Sequence, residues 1–184
     1  MEYIRKKDAL LHFLKLSNTD NLVLLAQDKN KEGSKKFTIL SSKDLYTNIK
    51  SNDNNYYEFW TNYQEIKFSL DIDLPNEAIK PAQIVYNNCK NVIKEFKKFL
   101  SNYSMENIII LKSKPTPLKL NSYHIIFDKI KFKNHKYCKN FFNYLKSKYT
   151  MEGCDDSIYN QTVLRCCYCV KHGRDNILKP IVFK

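Results

Sequence analysis

Two carboxylates stand two residues apart in SLDIDL, at Asp71 and Asp73. In an extended chain successive side chains point to opposite faces, so these two share one face while Leu70, Ile72 and Leu74 share the other. At a rise of ~3.3 Å per residue the carboxylates lie ~7 Å apart along the strand. Like charges so placed repel, and a hard divalent cation held by carboxylate oxygens relieves that repulsion. A strand that buries its apolar face and leaves an acidic face solvated explains the same pattern without chemistry. The pair is therefore weighed with its company.

A second constellation is NSYHIIF, where alternation places Ser122 and His124 on one face and Tyr123, Ile125 and Phe127 on the other. A serine hydroxyl and an imidazole both donate hydrogen bonds suited to phosphate oxygens. The third is CDDSIYNQTVLRCCYCVKHGRDNILKP, with an acidic pair, Asp155 and Asp156, ahead of a strand predicted near 162–170. That strand carries Arg165 and leads to Lys171 and Arg174. Two of the three arginines in a chain with 28 lysines fall here, and the guanidinium supplies a bidentate fork for phosphate that lysine lacks. Arg165 and Lys171 share strand parity, but six extended residues span ~20 Å. Either the chain bends between them, with Gly173 marking a nearby turn, or they serve different phosphates.

The elements that must position these residues follow from periodicity. The N-terminal part reads as a helix over 3–16, a strand over 21–27, a polar turn over 28–34, a strand over 36–40 and a short helix starting near Ser42. The loop-like stretch 50–55 marks a seam, dividing an N-terminal α/β lobe (1–55) from a second region (56–184). Beyond it the order is β-α-β-β-α-β: a strand or hairpin over 56–74, a helix over 77–103, strands over 107–112 and 122–127, a helix over 136–149, and the strand near 162–170. This α+β pattern predicts an RRM-like (ferredoxin-like) palm sheet.

Composition narrows the class. The 184 residues suffice for a real core, and 43% are hydrophobic, 24 of them Phe or Tyr. Three glycines leave no glycine-rich phosphate loop, which excludes P-loop and Rossmann enzymes. No run of 18 apolar residues occurs and residues 1–16 mix charges throughout, so neither a membrane span nor a signal peptide is expected. A formal net charge of +12 with abundant aromatic rings suits a polyanionic partner; the alternative reading is genome bias, since the plentiful Lys, Asn, Ile and Tyr all have AT-rich codons. Cys166 and Cys169 form a CxxC near Cys154 and His172. With no second CxxC they are read as buried apolar cysteines on a strand rather than a zinc site, in a reducing intracellular compartment.

Taken together, the three motifs resemble the archaeo-eukaryotic primase superfamily, and within it the PrimPol and poxvirus-type viral primase–helicase branch. The family pattern runs hhhDhD/E, then SxH, then hD followed by Y…R…K. Here the corresponding stretches are LDID (70–73), SYH (122–124) and CDDSIY…LR…VK (154–171). YYEFW ahead of the first motif resembles the family's YE-type strand. The resemblance spans about residues 56–181.

It implies a DNA primase or primase-polymerase catalytic core, performing template-directed nucleotidyl transfer on single-stranded DNA with two Mg²⁺ or Mn²⁺ ions and NTPs or dNTPs. Asp71, Asp73 and Asp155 would hold the metals. Ser122, His124, Arg165 and Lys171 would hold the incoming triphosphate, and Lys119 and Arg174 would meet template. A helicase in cis or trans is the implied replication partner, and host cytoplasm the implied site if the protein is viral. Lys112, Lys114, Lys129, Lys131, Lys133 and Lys136 are further candidates for the template surface. Two departures touch nucleotide binding: Leu120 stands where the family often has a basic residue, with Lys119 as its substitute from the other parity, and Cys169 and Val170 precede Lys171 where small residues are common. A non-catalytic nucleic-acid-binding subunit on the same palm and a repair or end-joining polymerase of the same superfamily are the alternatives.

Overall fold

The computed structural model describes residues 2–16, 21–30, 34–50, 55–117 and 120–182. In chain order the elements are β1 (Glu2–Tyr3), α1 (Lys6–Lys15), β2 (Leu22–Asp28), β3 (Lys35–Ser41), α2 (Ser42–Lys50), β4 (Tyr56–Phe59) and β5 (Ile66–Leu74). Then follow α3 (Pro81–Phe96), a 3₁₀ turn (Met105–Asn107), β6 (Ile108–Ser113), β7 (Asn121–Phe132), α4 (His135–Lys148), β8 (Cys154–Asp155), α5 (Ser157–Gln161), β9 (Val163–Arg165) and β10 (Leu178–Ile181). The protein is α+β, with two antiparallel sheets. No helix among the described residues is long and apolar enough to cross a membrane.

The chain forms two compact units, Met1–Thr61 with Thr162–Leu178, and Asn62–Gln161 with Lys179–Lys184. The first takes in β4 and β9, which both lie beyond the seam read at 50–55; residues 51–54 of that seam lie outside the described residues. Its sheet runs β1-β3-β2-β4-β9. Leu24 packs with Ala9 of α1 and with Phe59, while Leu25 packs on the opposite face with Tyr56 and Cys169. A near-continuous apolar run such as LVLLA is what a strand covered on both faces requires.

The second unit carries the order β5-α3-β6-β7-α4-β8, and its strands lie side by side as β10-β6-β7-β5-β8. The stretch over 56–74, read as a strand or hairpin, instead supplies two strands that belong to different sheets. β4 pairs with β2 and β9, whereas β5 pairs with β7 and β8. The last strand of this order is β8, two residues long, and not the stretch near 162–170, which supplies only β9 to the other sheet. Alternation could not show this, because a two-residue strand has no period.

The helix read over 77–103 is shorter at both ends. Proline has no N–H to give an interior turn and disfavours helical geometry in the residue before it. Pro81 therefore opens α3, and Lys80 ahead of it sits at a φ of 52°. Val85, Cys89, Val92 and Phe96 make its buried stripe, and Cys138, Phe142 and Leu145 that of α4. Both helices lie on the face of the sheet that carries Phe68. The Phe68 ring meets Phe96 edge-on at 6.1 Å and Phe141 edge-on at 5.0 Å, and it lies 5.5 Å from Phe127. Leu70, Ile72 and Leu74 are buried. The other face of β5 is left for polar residues.

Candidate active site

Strand register is what assembles the acidic residues. In the β5–β7 ladder Asp71 lies opposite His124 and Asp73 opposite Ser122. On the other side of β5, Asp71 lies opposite Asp155 of β8. Residues directly opposite in an antiparallel pair point to the same face. Three strands therefore bring a row His124–Asp71–Asp155, and beside it Ser122–Asp73, onto one face. His124 Nε2 is 3.4 Å from Asp71 Oδ1. Ser122 and His124 are buried, Asp71 and Asp73 half-buried and Asp155 exposed.

Asp71 and Asp155 are like charges directly across a ladder, an arrangement that costs stability wherever no cation compensates it. The donor chemistry is all carboxylate oxygen and suits a hard divalent ion at Asp71 and Asp73. Asp155 is differently disposed. Its Oδ1 accepts from the Ser157 N–H at 2.8 Å and its Oδ2 from the Ser157 hydroxyl at 2.6 Å, which caps the start of α5. Among the described residues, no three His, Cys, Asp or Glu side chains are set to hold one ion.

Three residues fix β8 against β5. Asn88, buried in α3, donates from Nδ2 to the Glu152 carbonyl at 2.8 Å and to Cys154 Sγ at 3.3 Å. Tyr159, buried in α5, donates its hydroxyl to the Ser69 carbonyl and accepts from the Ser69 N–H at 3.4 Å. β8 is too short to pair with that part of β5, and the phenol supplies the edge partner a longer strand would have given. Burial holds the Tyr159 phenol far above its ordinary pKa, so it stays a neutral donor. Gly153 completes the arrangement: its carbonyl accepts from the Asp73 N–H at 2.9 Å at a φ of +69°. A Cβ there would fall 2.4 Å from Leu74 Cδ2 and 3.1 Å from the Asp73 carbonyl oxygen.

Gly153→Ala is therefore expected to combine backbone strain with a clash against the Leu74 side chain and the Asp73 carbonyl. The expected cost is about 2–3 kcal/mol of stability, together with weaker divalent-ion binding. Thermal melts with and without Mn²⁺ check it, and an unshifted melt would remove Gly153 from the positioning set. Motif reading missed Gly153 and Asn88. The available signal was a chain with three glycines placing one directly before CDDS.

No protein-family model matches this chain, and no characterised protein sequence matches it. The site's geometry stands on its own residues.

Arg165, Lys171 and Arg174 belong to the first unit and not to the sheet that carries the carboxylates. Arg165 ends β9 and is buried, and its Nη1 donates to the Asn176 carbonyl at 3.0 Å. The chain then bends: the Cys169 N–H donates to the Cys166 carbonyl at 3.2 Å, and Tyr168 takes a φ of 61°. Cys166 and Cys169 thus flank a turn and do not sit on a strand. The second turn, marked by Gly173 at φ 67°, closes from the Arg174 N–H to the Lys171 carbonyl at 3.0 Å and leaves Arg174 exposed. Lys119 lies outside the described residues. Lys112 sits 5.4 Å over the Tyr123 ring, which places it on the face away from His124.

Proposed function

We propose that this protein is a primase-type nucleotidyltransferase acting on single-stranded DNA, and that its palm is the RRM-like sheet of the second unit. The observation that carries the reading is the register: Asp71, Asp73 and Asp155 fall in adjacent strands on one face, with His124 and Ser122 in the same rows. Two points support the palm. The connectivity β5-α3-β6-β7-α4-β8 with neighbours β6-β7-β5-β8 is that of a split β-α-β unit, and both helices cover the face opposite the acidic row.

In this reading Asp71 and Asp73 would hold the divalent ions, and Asp155 would serve as the third carboxylate. Bound there, such ions offset the charge of the triphosphate and increase the acidity of an attacking 3′-hydroxyl. Ser122 donates its hydroxyl, and His124 a ring N–H, to phosphate oxygens. Their near-complete burial fixes these donors in place before substrate arrives, so little reorganisation is needed. The motif resemblance would give Arg165 and Lys171 to the triphosphate and Arg174 to the template; all three are carried by the first unit. A formal charge of +12 favours encounter with single-stranded DNA.

Primer synthesis on a single-stranded DNA template with NTPs or dNTPs and Mn²⁺ or Mg²⁺ tests the reading. Wild type is expected to extend, and Asp71→Ala/Asp73→Ala to lose about 10³-fold or more while still binding template. Template binding without product from wild type would identify a non-catalytic binding subunit. Product from the double variant would sink the metal assignment. Preference for gapped or end-paired substrates over bare template would identify a repair polymerase.

A further inference from the structure

The helical side of the second unit holds a cleft of about 440 Å³ between the end of α3, the end of β7 and the middle of α4. Its walls are Phe99, Ile130, Phe132, Phe141 and Tyr144, with Lys98 and Lys131 at the rim. Phe99 is 82% exposed, an unusual state for a phenylalanine beside an open apolar cleft. The cleft lies toward the Phe132 end of β7, whereas Ser122 and His124 sit at the opposite end of that strand.

Cations predominate in this region. Lys98 and Lys131 are more than half exposed at their side chains, and Lys97, Lys129 and Lys133 flank them in sequence as further exposed cations, with Asp128 the partner of Lys129 at 3.7 Å. The carboxylate beside the cleft, Glu95, is buried and accepts from Lys98, Lys148, Tyr144 and Tyr149, so it presents no bare negative charge to a ligand. Glu65 is the acidic partner of Lys131, at 3.9 Å and itself exposed, a contact of little strength. An apolar floor inside a cationic rim complements a ligand with apolar anchors and acidic flanks.

Ring geometry separates a peptide from a nucleobase. Phe141 stacks on Phe96 at 5.3 Å and 13° and on Tyr144 at 6.1 Å and 28°. Phe141, in the cleft wall, is thus stacked within the protein, and the cavity beside it suits inserted side chains. A second copy of a +12 chain would bring further positive charge to the rim and is disfavoured. We propose that this cleft docks a partner protein through a short amphipathic segment whose Leu or Phe anchors are flanked by Asp and Glu.

The probe is a fluorescein-labelled synthetic peptide of about 16 residues with Leu and Phe at helical i, i+3, i+7 spacing and Asp or Glu between them. Titration of the full chain is expected to give a Kd of about 1–50 µM. Phe99→Asp, at an exposed position, is expected to weaken it about tenfold or more, and Lys131→Glu about threefold with a smaller salt dependence. Phe99→Asp should leave the melting temperature and primer synthesis unchanged, so failure here is separable from failure of the nucleotidyltransferase reading. No binding by wild type up to about 1 mM overturns the proposal. So does equal binding by a peptide with Ser in place of its anchors. An oligothymidylate, or vesicles containing phosphatidylserine, that bind in a Phe99-dependent way and displace the peptide would reassign the cleft to nucleic acid or lipid.

Discussion

Asp71→Asn is expected to abolish primer synthesis and, in metal-free buffer, to make the protein more stable. Asp71 faces Asp155 on one side and shares its own strand face with Asp73, so it sits among two carboxylates in the β5–β8 part of the sheet. Removing one charge from such a row relieves about 1 kcal/mol, which corresponds to a rise of about 2–4 °C in Tm for a chain of this size. The counter-term is His124, whose Nε2 lies 3.4 Å from Asp71 Oδ1 and attracts it when protonated. Thermal melts of wild type and Asp71→Asn in metal-free buffer measure the net of the two. Adding Mn²⁺ should raise the melting point of wild type and leave Asp71→Asn nearly unmoved, because a ligand stabilises only a state that binds it. The activity should fall by about 10³-fold or more. A solvated acidic face with no chemistry predicts the reverse pattern: no Mn²⁺ shift in wild type. A substitution that destabilises in metal-free buffer would show that Asp71 is held by favourable contacts instead.

The acidic row shows which parts of the site periodicity exposes. Parity within one strand already placed Asp71 with Asp73 and Ser122 with His124, because alternation is a local property. Which residue lies across from which is a matter of register, set by the buried face and the bulge between Lys67 and Phe68, and no single segment contains it. The short strand holding Asp155 was hidden for another reason. It is held in place by contacts that Gly153, Asn88 and Tyr159 make to residues far along the chain, which no local window contains. The helix ends failed at Pro81, where an apolar stripe starting at Ile84 could not show that the first turn begins only at the proline. The assignment of 162–170 to the palm failed because a run of Val, Leu, Cys and Tyr suits either sheet, and β4 is the strand it pairs with. Glu95 left no sequence signal at all: a glutamate in a lysine-rich helix reads as a surface residue.

That glutamate carries a large expected effect on stability. Its side chain is only 3% exposed, and its two oxygens accept from Lys98 at 2.5 Å, Lys148 at 2.7 Å, Tyr144 at 2.9 Å and Tyr149 at 2.5 Å. These bonds join the end of α3 to the end of α4. Burial alone would raise the carboxyl pKa, but the four donors outweigh it and hold the group well below the usual carboxylate range. A carboxyl depressed in the folded state stabilises fully above its unfolded value, and that contribution is lost as pH falls through the folded one. Glu95→Gln keeps the shape but turns an amide NH₂ toward donors, so at least one ammonium or phenol loses its acceptor. The expected loss at pH 7 is about 2–3 kcal/mol, less than for a fully enclosed ion pair because Lys98 and Lys148 reach solvent. The difference between wild type and variant should shrink steadily below pH about 4.5, as the wild-type carboxylate loses its advantage. Thermal melts from pH 7 down to pH about 2.5 check this. A gap that stays constant across that range would mean that Glu95 contributes through packing and not through its charge.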